Sequence, residues 1–298
     1  MTADRQKIRS TAAAAPQFLV SDDELRLIDI ALAEDKGAGD WTTRWVVPAR
    51  TRAHARIVAK AEGVIAGLSI ASAVFMRLDP RVEITSAVSD GGSVREGELV
   101  CTIRGPARTI LTGERTALNF LQRLSGIATL THRFVAAVAG TEAKILDTRK
   151  TTPGWRGLEK AAVKAGGGEN HRFGLFDMVL IKENHIAIAG GVAEALKRVR
   201  DANTKGLRVE IEARNKDELR AALDAGCDMV LLDNMDVQAI RECVRVVKQR
   251  APQVQTEASG NMTLERVRAV AETGVDYISV GALTHSAVAL DLSLLMQT

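Results

Sequence analysis

The spacing of apolar residues after Gly140 predicts a repeated strand–helix unit. Short apolar runs there alternate with amphipathic segments, which indicates βαβ units and a parallel sheet. The predicted strands are 144–148, 177–182, 208–213, 229–234, 255–260 and 277–282, and the predicted helices lie near 157–165, 191–203, 216–225, 236–250 and 263–273. An incomplete (β/α) barrel is the main prediction, because only six strands are clear. A doubly wound open sheet is the alternative.

The pattern of polar and apolar residues from Ser21 to Gly37 predicts a helix. Ser21 and Glu24 form a capping-box pattern before an amphipathic stretch that ends near Gly37. Residues 39–47 are predicted to turn into extended structure. Residues 1–20 precede these patterns and are interpreted as a flexible arm.

Short strands and one helix are predicted between Thr51 and Gly105. Alternating apolar residues and turn glycines indicate the strands, and the helix is expected near 69–78. A long helical pattern begins at Pro106, and Gly126 is expected to divide it into two helices. The segment from Thr51 to Gly105 therefore resembles a small β-rich domain with one or two helices.

Composition narrows the class of protein. The chain has 298 residues, 46% hydrophobic and 26% charged, which is typical of a soluble globular protein of one large or two modest domains. With 40 basic and 37 acidic residues and only 3% aromatic residues, a general nucleic-acid binder is not expected. No segment approaches the ~20 apolar residues of a membrane span. Three cysteines without CxxC spacing indicate reduced thiols in a cytoplasmic protein.

Basic residues are concentrated between Asp147 and His185, although the whole chain is only +3 at pH 7. The pairs Arg149-Lys150 and His171-Arg172, together with Lys182, fall at the edges of predicted elements, where a site for a small, highly anionic ligand would be built. Three other basic residues are interpreted as helix-surface charges: Arg156, Lys160 and Lys164. The glycines at 166–168 are interpreted as a helix end followed by a mobile loop that would let His171 and Arg172 fold over a ligand.

Polar residues also follow the apolar run of each predicted barrel strand. They are Thr148 to Lys150, Lys182 to His185, Glu210 and Glu212, Asp233 and Asn234, Ser259 to Asn261, and Ser279 and Gly281. The active sites of α/β barrels lie at these C-terminal ends. Helix capping alone would explain Asp233-Asn234 and Ser259-Gly260. It would not explain Lys182 or Glu212, because unpaired charges at a barrel mouth cost desolvation free energy.

The mixture of side chains at the strand ends suggests a chemistry. Arginines and lysines around a pocket bind carboxylates or phosphates. Glu212 and Asp233 could bind Mg²⁺, directly or through water, or stabilise a developing cation. Ser259-Gly260 and Gly281 would offer backbone N–H groups to a phosphate.

The motifs in this region resemble those of the quinolinate phosphoribosyltransferases, also called nicotinate-nucleotide pyrophosphorylases (carboxylating). The matching segments are DTRKTTPGWRGLEKAAVKAGGGENHRFGL, MVLIKENH, VEIEA, LLDN, EASGN and ISVGALTHS, and the resemblance extends from about Ser21 to the C-terminus. It implies a type II phosphoribosyltransferase fold, with an α/β sandwich at 21–128 and an incomplete barrel at 129–283. Residues 284–298 would pack back on the sandwich.

The resemblance also implies an activity and an assembly. The reaction would convert quinolinate and 5-phosphoribosyl 1-diphosphate to nicotinate mononucleotide, diphosphate and CO₂ with Mg²⁺, a decarboxylating pentosyl transfer in de novo NAD biosynthesis. The protein would be a homodimer, or a higher assembly of dimers, in which each site borrows residues from the partner.

Individual roles follow by resemblance, residue by residue. Those expected to hold the substrates are Arg115, Thr148, Arg149, Lys150, His171, Arg172, Lys182, Glu212 and Asp233, and Lys150, Glu212 and Asp233 are the expected catalytic group. Those expected to hold the ribose 5-phosphate are Ser259, Gly260, Asn261 and Gly281. Glu212 and Asp233 would also hold the metal. Periodicity alone makes Arg115 a solvated charge beside Glu114, whereas the resemblance implies that Arg115 reaches into the neighbouring subunit's site.

Three alternatives remain open from the sequence. A related phosphoribosyltransferase could act on nicotinate or serve molybdenum transport. A phosphate-sugar aldolase or isomerase would use Lys150 or Lys182 as a Schiff-base lysine. A non-catalytic carrier or interaction module is disfavoured by the polar residues at the strand ends.

Overall fold

The computed structural model of the protein describes residues 20–297. The predicted arm at 1–20 therefore lies, apart from Val20, outside the described residues. The first part of the fold contains α1 (Asp22–Lys36), α2 (Trp41–Val46), β1 (Arg52–Ala59), β2 (Gly63–Val64), α3 (Leu68–Leu78), β3 (Glu83–Ser86), β4 (Ser93–Val94), β5 (Leu99–Pro106) and α4 (Ala107–Ala137).

The second part follows the predicted alternation of strands and helices. It contains β6 (Lys144–Leu146), α5 (Arg156–Ala165), β7 (Val179–Ile181), α6 (Glu183–Ala189), α7 (Val192–Ala202), β8 (Val209–Ala213), α8 (Lys216–Ala225), β9 (Met229–Asp233), α9 (Val237–Arg250), β10 (Gln255–Ser259), α10 (Leu264–Ala271), β11 (Tyr277–Ser279), α11 (Ala282–His285) and β12 (Leu292–Gln297). The six predicted barrel strands and the five predicted helices are confirmed to within a few residues, and α6 and α11 are additional helices.

The six-stranded sheet is an interrupted barrel. Its strand order is β6-β11-β10-β9-β8-β7, and every neighbouring pair is parallel. The order is sequential around a circle with one break, between β6 and β7. A doubly wound sheet would instead reverse its order near the middle. The prediction of an incomplete barrel is therefore confirmed, and the doubly wound alternative is wrong.

The antiparallel sheet joins the two ends of the described chain. Its order is β12-β1-β5-β3, and β12 pairs with β1 from Ala59 opposite Leu292 to His54 opposite Gln297. Helices α3 and α4 pack against each other beside it. Helix α4 runs without interruption across residue 128, the predicted domain boundary, so the division of the chain there stays a prediction.

The predicted start of α1 is confirmed by its hydrogen bonds. The backbone N–H of Glu24 donates to Oγ of Ser21 at 3.3 Å, and the N–H of Ser21 donates to Oε2 of Glu24 at 2.7 Å. The helix ends before Gly37, whose φ is +49°. Both ends are thus set by the local pattern that predicted them.

Residues 41–46 form helix α2, so the prediction of extended structure at 39–47 is wrong. Asp40 caps this helix, because its Oδ1 accepts a hydrogen bond from the N–H of Thr43 at 2.9 Å. The guanidinium of Arg108 on α4 donates to the carbonyls of Val47 and Arg44. A cap and a contact from a distant helix thus override the extended preference of the Thr-, Trp- and Val-rich sequence.

Gly126 does not divide the long helix. It is buried inside α4, and a Cβ added there would lie 2.1 Å from the carbonyl oxygen of Val288. The glycine is needed because the segment before β12 crosses the helix at this point. A glycine that permits close backbone approach has the same sequence signature as a glycine that ends a helix.

No helix among the described residues combines the length and the apolar character that a bilayer crossing would need.

Candidate active site

A cavity of about 1100 Å³ lies at the C-terminal ends of the barrel strands. Residues two apart on a strand face the same side. The alternation of each strand therefore brings a pair of side chains to the interior, such as Leu180 and Lys182 or Glu257 and Ser259. The second residue of each pair lies nearer the C-terminal end of its strand and therefore reaches the mouth of the cavity.

Twelve of the thirteen residues predicted for the site line this cavity. They are Thr148, Arg149, Lys150, His171, Arg172, Lys182, Glu212, Asp233, Ser259, Gly260, Asn261 and Gly281. Arg115 is the exception, since it is exposed on α4 and does not line the cavity of its own chain. The roles of all thirteen stay predictions.

Two arginines form a basic wall of the cavity. Nε of Arg149 is buried without a hydrogen-bond partner, and Nη1 of Arg172 donates to the carbonyl of Met178 at 3.1 Å. Among the described residues neither arginine forms a salt bridge. Burial, followed by the neighbouring charge of Arg149, lowers the pKa of Arg172. Two like charges held near each other, neither in a salt bridge with a described residue, provide a binding site for an anion.

Two carboxylates lie at the mouth of the same cavity. Glu212 accepts hydrogen bonds from Nζ of Lys182 at 2.9 Å and from the N–H of Glu183 at 3.2 Å. Asp233 accepts one from the side-chain amide of Asn234 at 2.9 Å. Burial raises the pKa of Asp233, and so does the charge of Glu212, against the effect of Asn234. Two carboxylates that repel each other can bind a cation or accept hydrogen bonds from a hydroxyl group.

The turn after β10 has a constrained backbone. Gly260 has φ of +95°, and a Cβ there would lie 2.1 Å from Oδ1 of Asn234. Among the described residues, Asn234 and Asn261 are the non-glycine residues with positive φ, at +53° and +47°. Both line the cavity. Clustering of such conformations is typical of ligand-binding turns.

Gly281 follows β11, the strand next to β10, and also lines the cavity. A Cβ there would lie 3.0 Å from Cδ of Lys150 and 3.1 Å from Nε2 of His285. The absence of a side chain therefore leaves room for the stem of Lys150. His285 lines the cavity and was not found from the sequence.

Lys160 supports the basic wall from below, so its interpretation as a helix-surface charge is wrong. It is 2% exposed and pairs with Asp147 at the end of β6. Its Nζ also donates to the carbonyl of His171 at 3.0 Å, and Asp147 accepts from the N–H of His171 at 2.9 Å. Lys160 lies on the buried face of α5, where an acid partner compensates its desolvation.

The glycines at 166–168 have a packing role. The predicted helix end is confirmed, because α5 ends at Ala165. A Cβ at Gly166 would lie 2.4 Å from the carbonyl oxygen of Ala128, and one at Gly168 would lie 2.8 Å from Cγ2 of Thr131. Both glycines are buried against α4, so close packing replaces the interpretation as a mobile loop.

His171 contacts two acids, of which the sequence analysis named only Glu210 and gave it no role. Its Nε2 lies 3.0 Å from Oε2 of Glu210 and 3.2 Å from Oε2 of Glu257, both fully buried. Burial opposes a charge on the ring and the two acids favour one, but the backbone N–H of Arg172 donates to Nδ1 at 2.7 Å and leaves no place for a second ring hydrogen. Glu257 could also have been found from strand alternation, because it precedes Ser259 by two residues, as Glu210 precedes Glu212.

Fold and site together define the class of protein. An antiparallel sheet with packed helices joins an interrupted six-stranded barrel. The mouth of that barrel combines a basic wall, an acidic pair and a glycine-containing turn. These features are typical of the type II phosphoribosyltransferases.

Comparison with known families gives the particular family. The family model "Quinolinate phosphoribosyl transferase, N-terminal domain" matches residues 40–125, and "Quinolinate phosphoribosyl transferase, C-terminal domain" matches residues 127–295. The chain belongs to the quinolinate phosphoribosyltransferase family.

Individual relatives agree with this assignment. The chain is 44% identical over 269 residues to a "Probable nicotinate-nucleotide pyrophosphorylase [carboxylating]" of Bacillus subtilis (strain 168), covering 90% of this chain and 92% of that protein. It is also 44% identical over 291 residues to "Quinolinate phosphoribosyltransferase [decarboxylating] 2b, mitochondrial" of Nicotiana tabacum, covering 91% and 82%. The solved nicotinate-nucleotide pyrophosphorylase of Francisella tularensis superposes with a TM-score of 0.87 at 40% identity, covering 93% of this chain and 96% of that one.

Proposed function

We propose that this protein transfers the phosphoribosyl group of 5-phosphoribosyl 1-diphosphate to quinolinate, releasing diphosphate and CO₂ and forming nicotinate mononucleotide for de novo NAD biosynthesis. The observation that carries the proposal is the division of one cavity into two regions. Arg149 and Lys182 follow β6 and β7, the strands that flank the break in the barrel, and Arg172 lies beside Arg149. The turn at Gly260 follows β10, which lies inside the strand order. A dicarboxylate and a phosphorylated sugar need these two regions side by side. Membership of the family supports the same reaction.

Quinolinate would bind at the basic wall. The unpartnered Nε of Arg149 and the guanidinium of Arg172 can each donate two parallel hydrogen bonds to a carboxylate. Lys182, half exposed and paired with Glu212, adds a third positive charge. Two adjacent carboxylates on a flat ring would be fixed in orientation by these groups. A ring with one carboxylate would leave part of the wall unpaired, which favours the dicarboxylate.

The phosphoribosyl donor would bind in the other region. Backbone N–H groups near Ser259, Gly260, Asn261 and Gly281 would hold the 5-phosphate, since a glycine lets backbone approach an anion closely. Glu212 and Asp233 would accept hydrogen bonds from the ribose hydroxyls. Lys150, exposed beside Gly281, would face the donor's diphosphate.

Mg²⁺ is the proposed cofactor, and the acidic pair fits it. Asp233 has a raised pKa because burial and Glu212 disfavour its charge, and a cation would relieve both effects. Both oxygens of Glu212 already accept hydrogen bonds, so Glu212 would hold the ion through water. When bound, the ion would neutralise negative charge on the departing diphosphate.

The protein's own groups would act mainly by positioning and by charge. The pyridine nitrogen attacks C1 of the ribose as the C1–O bond to diphosphate breaks, and Glu212 stabilises the positive charge that develops on the sugar. The ring nitrogen is then cationic. The bond from ring carbon 2 to its carboxylate breaks, CO₂ leaves, and the ring carbon takes a proton. No covalent intermediate with the protein is required.

Steady-state kinetics with two acceptors would test the choice of substrate. Quinolinate and nicotinate are each assayed with 5-phosphoribosyl 1-diphosphate and Mg²⁺. We expect quinolinate to be turned over faster, because nicotinate lacks one of the two carboxylates. Faster turnover of nicotinate would contradict the proposal.

A homodimer with shared sites is the proposed assembly. Arg115 is exposed on the same face of α4 as Arg108 and Thr112, which hold α2. Helix α2 exposes Trp41 and Trp45, at 49% and 79%. Large exposed apolar side chains on a helix held by the face of α4 that carries Arg115 favour burial by another subunit. Within the described part of the chain, Arg115 forms no salt bridge. Arg115 would then complete the anion site of the partner.

Subunit exchange would test the shared site. We expect Arg115→Ala and Lys182→Ala homodimers to be nearly inactive, because each loses a charge at every site. An equal mixture of the two should recover about a quarter of the parent activity, since half of the dimers are mixed and each mixed dimer has one intact site. The matched control mixes Lys182→Ala with Arg149→Ala, whose defects lie in the same barrel, and should recover nothing. Recovery only in the control, or in neither mixture after verified exchange, would contradict a shared site.

A cytoplasmic location is proposed with this function. The cysteines at 101, 227 and 243 are buried and free. Burial raises the pKa of Cys101 and of Cys227 to about 12, so both remain protonated and poorly reactive. Thiols of this kind suit a reducing compartment.

A further inference from the structure

The side chain of His171 is held on both of its ring nitrogens. Nε2 lies within hydrogen-bond distance of Glu210 and Glu257, and Nδ1 accepts a hydrogen bond from the backbone N–H of Arg172 at 2.7 Å. The backbone of His171 is fixed as well, through Asp147 and Lys160. The ring therefore lines the cavity while its nitrogens bind protein groups. This geometry requires the tautomer with its hydrogen on Nε2.

The two glutamates have few other partners. Among the described residues, neither carboxylate oxygen of Glu257 has a hydrogen-bond partner, and Oε1 of Glu210 has none. Both residues are fully buried, and Glu257 lines the cavity proposed to bind an anionic substrate. Two buried acids beneath an anion site oppose both folding and binding unless they perform another task.

We propose that Glu210 and Glu257 are positioning residues that act through His171 on Arg172. The carboxylate of Glu210 accepts the Nε2 hydrogen, and the carboxylate of Glu257, 3.2 Å from Nε2, favours the hydrogen at that nitrogen. Nδ1 is then free to accept from the N–H of Arg172 and to hold the backbone that carries this arginine at the cavity. The inference rests on the proposed function, because it assigns Arg172 to the quinolinate carboxylates.

The consequence of losing an acceptor follows from the hydrogen count. Without an acceptor near Nε2, no hydrogen bond would favour the tautomer that carries its hydrogen on this nitrogen. In the other tautomer Nδ1–H would face the N–H of Arg172, placing two donors against each other. The segment at 171–172 would then move, and the guanidinium of Arg172 would lose its place beside Arg149. The phosphoribosyl side of the cavity would keep its contacts.

Kinetics of acceptor-deleting variants would test this chain of contacts. For Glu210→Met and Glu257→Met we expect the KM for quinolinate to rise about tenfold or more, and the double variant to exceed both, because a buried hydrogen bond is lost. The KM for 5-phosphoribosyl 1-diphosphate should change less than about twofold. Glu257→Gln retains an acceptor oxygen and should recover most of the loss.

The matched control is Asp276→Asn, because Asp276 accepts from Thr256 at the opposite end of the barrel. It should alter stability without changing the KM for quinolinate.

Nitrogen NMR of labelled histidine would test the tautomer independently of activity. With the His171 signals assigned by their loss in His171→Gln, the parent should show hydrogen on Nε2 and none on Nδ1. The Met variants should show a mixture. An unchanged tautomer together with an unchanged KM would overturn the inference, as would a stoichiometric metal ion bound by the parent and lost in the Met variants. A parent that shows this tautomer but no turnover of quinolinate would instead overturn the proposed function.

Discussion

Replacing Arg149 with alanine should lower kcat/KM for quinolinate on the order of 100- to 1000-fold, a loss of about 3–4 kcal/mol of transition-state stabilisation. Arg149 lies in the basic wall with a buried, unpartnered Nε. Alanine would leave a substrate carboxylate buried without its charged donor. The other contacts of the ring could not compensate, because orientation needs both carboxylates to be held.

The kinetic pattern should separate this effect from general damage. The KM for 5-phosphoribosyl 1-diphosphate should change little, and Arg149→Lys should recover only part of the activity, since lysine cannot donate in parallel. Arg245→Ala is the matched control, because Arg245 is exposed on α9, outside the cavity. A loss in Arg149→Ala no larger than in Arg245→Ala would contradict a carboxylate-binding role.

Replacing Gly260 with alanine should lower kcat/KM for 5-phosphoribosyl 1-diphosphate about 100-fold or more. The added Cβ would lie 2.1 Å from Oδ1 and 3.0 Å from the backbone nitrogen of Asn234, so the turn must shift. Displacement of about 1 Å at a ligand-binding turn is expected to have an effect of this size. The KM for quinolinate should change much less.

Gly206→Ala provides the matched control for backbone strain. Gly206 has φ of +64° and no atom within 4 Å of an added Cβ. Alanine there should cost about 1 kcal/mol of folding free energy and leave the kinetics unchanged. Denaturation and steady-state kinetics of both variants would distinguish strain from crowding. Equal kinetic losses in the two variants, or none in Gly260→Ala, would contradict a phosphate-binding turn.

Local patterns were sufficient to predict most of the fold. The barrel strands are buried apolar runs with amphipathic helices between them, so each element is encoded in its own residues. The predictions were wrong where a contact with a distant part of the chain determines the local structure. Helix α2 depends on Arg108 of α4, and the continuity of α4 at Gly126 depends on the segment at Val288. Neither contact can be read from neighbouring sequence.

The site was predictable to a similar extent and for a similar reason. Polar residues after apolar strands meet at one edge of a parallel barrel, so the upper layer of the cavity could be listed from sequence. The layer beneath could not be assigned, because Lys160, Glu210 and Glu257 take their roles from partners on other elements. Lys160 has the sequence pattern of a surface charge and differs only in having Asp147 opposite it.

Release of CO₂ from quinolinate labelled in its 2-carboxylate tests the central claim most directly. With 5-phosphoribosyl 1-diphosphate and Mg²⁺ present, labelled CO₂ should appear in equal amounts to diphosphate and nicotinate mononucleotide. Without the phosphoribosyl donor none should appear, because the ring nitrogen becomes cationic only after transfer. Absence of labelled CO₂ in the complete reaction, or its release without the donor, would contradict the account.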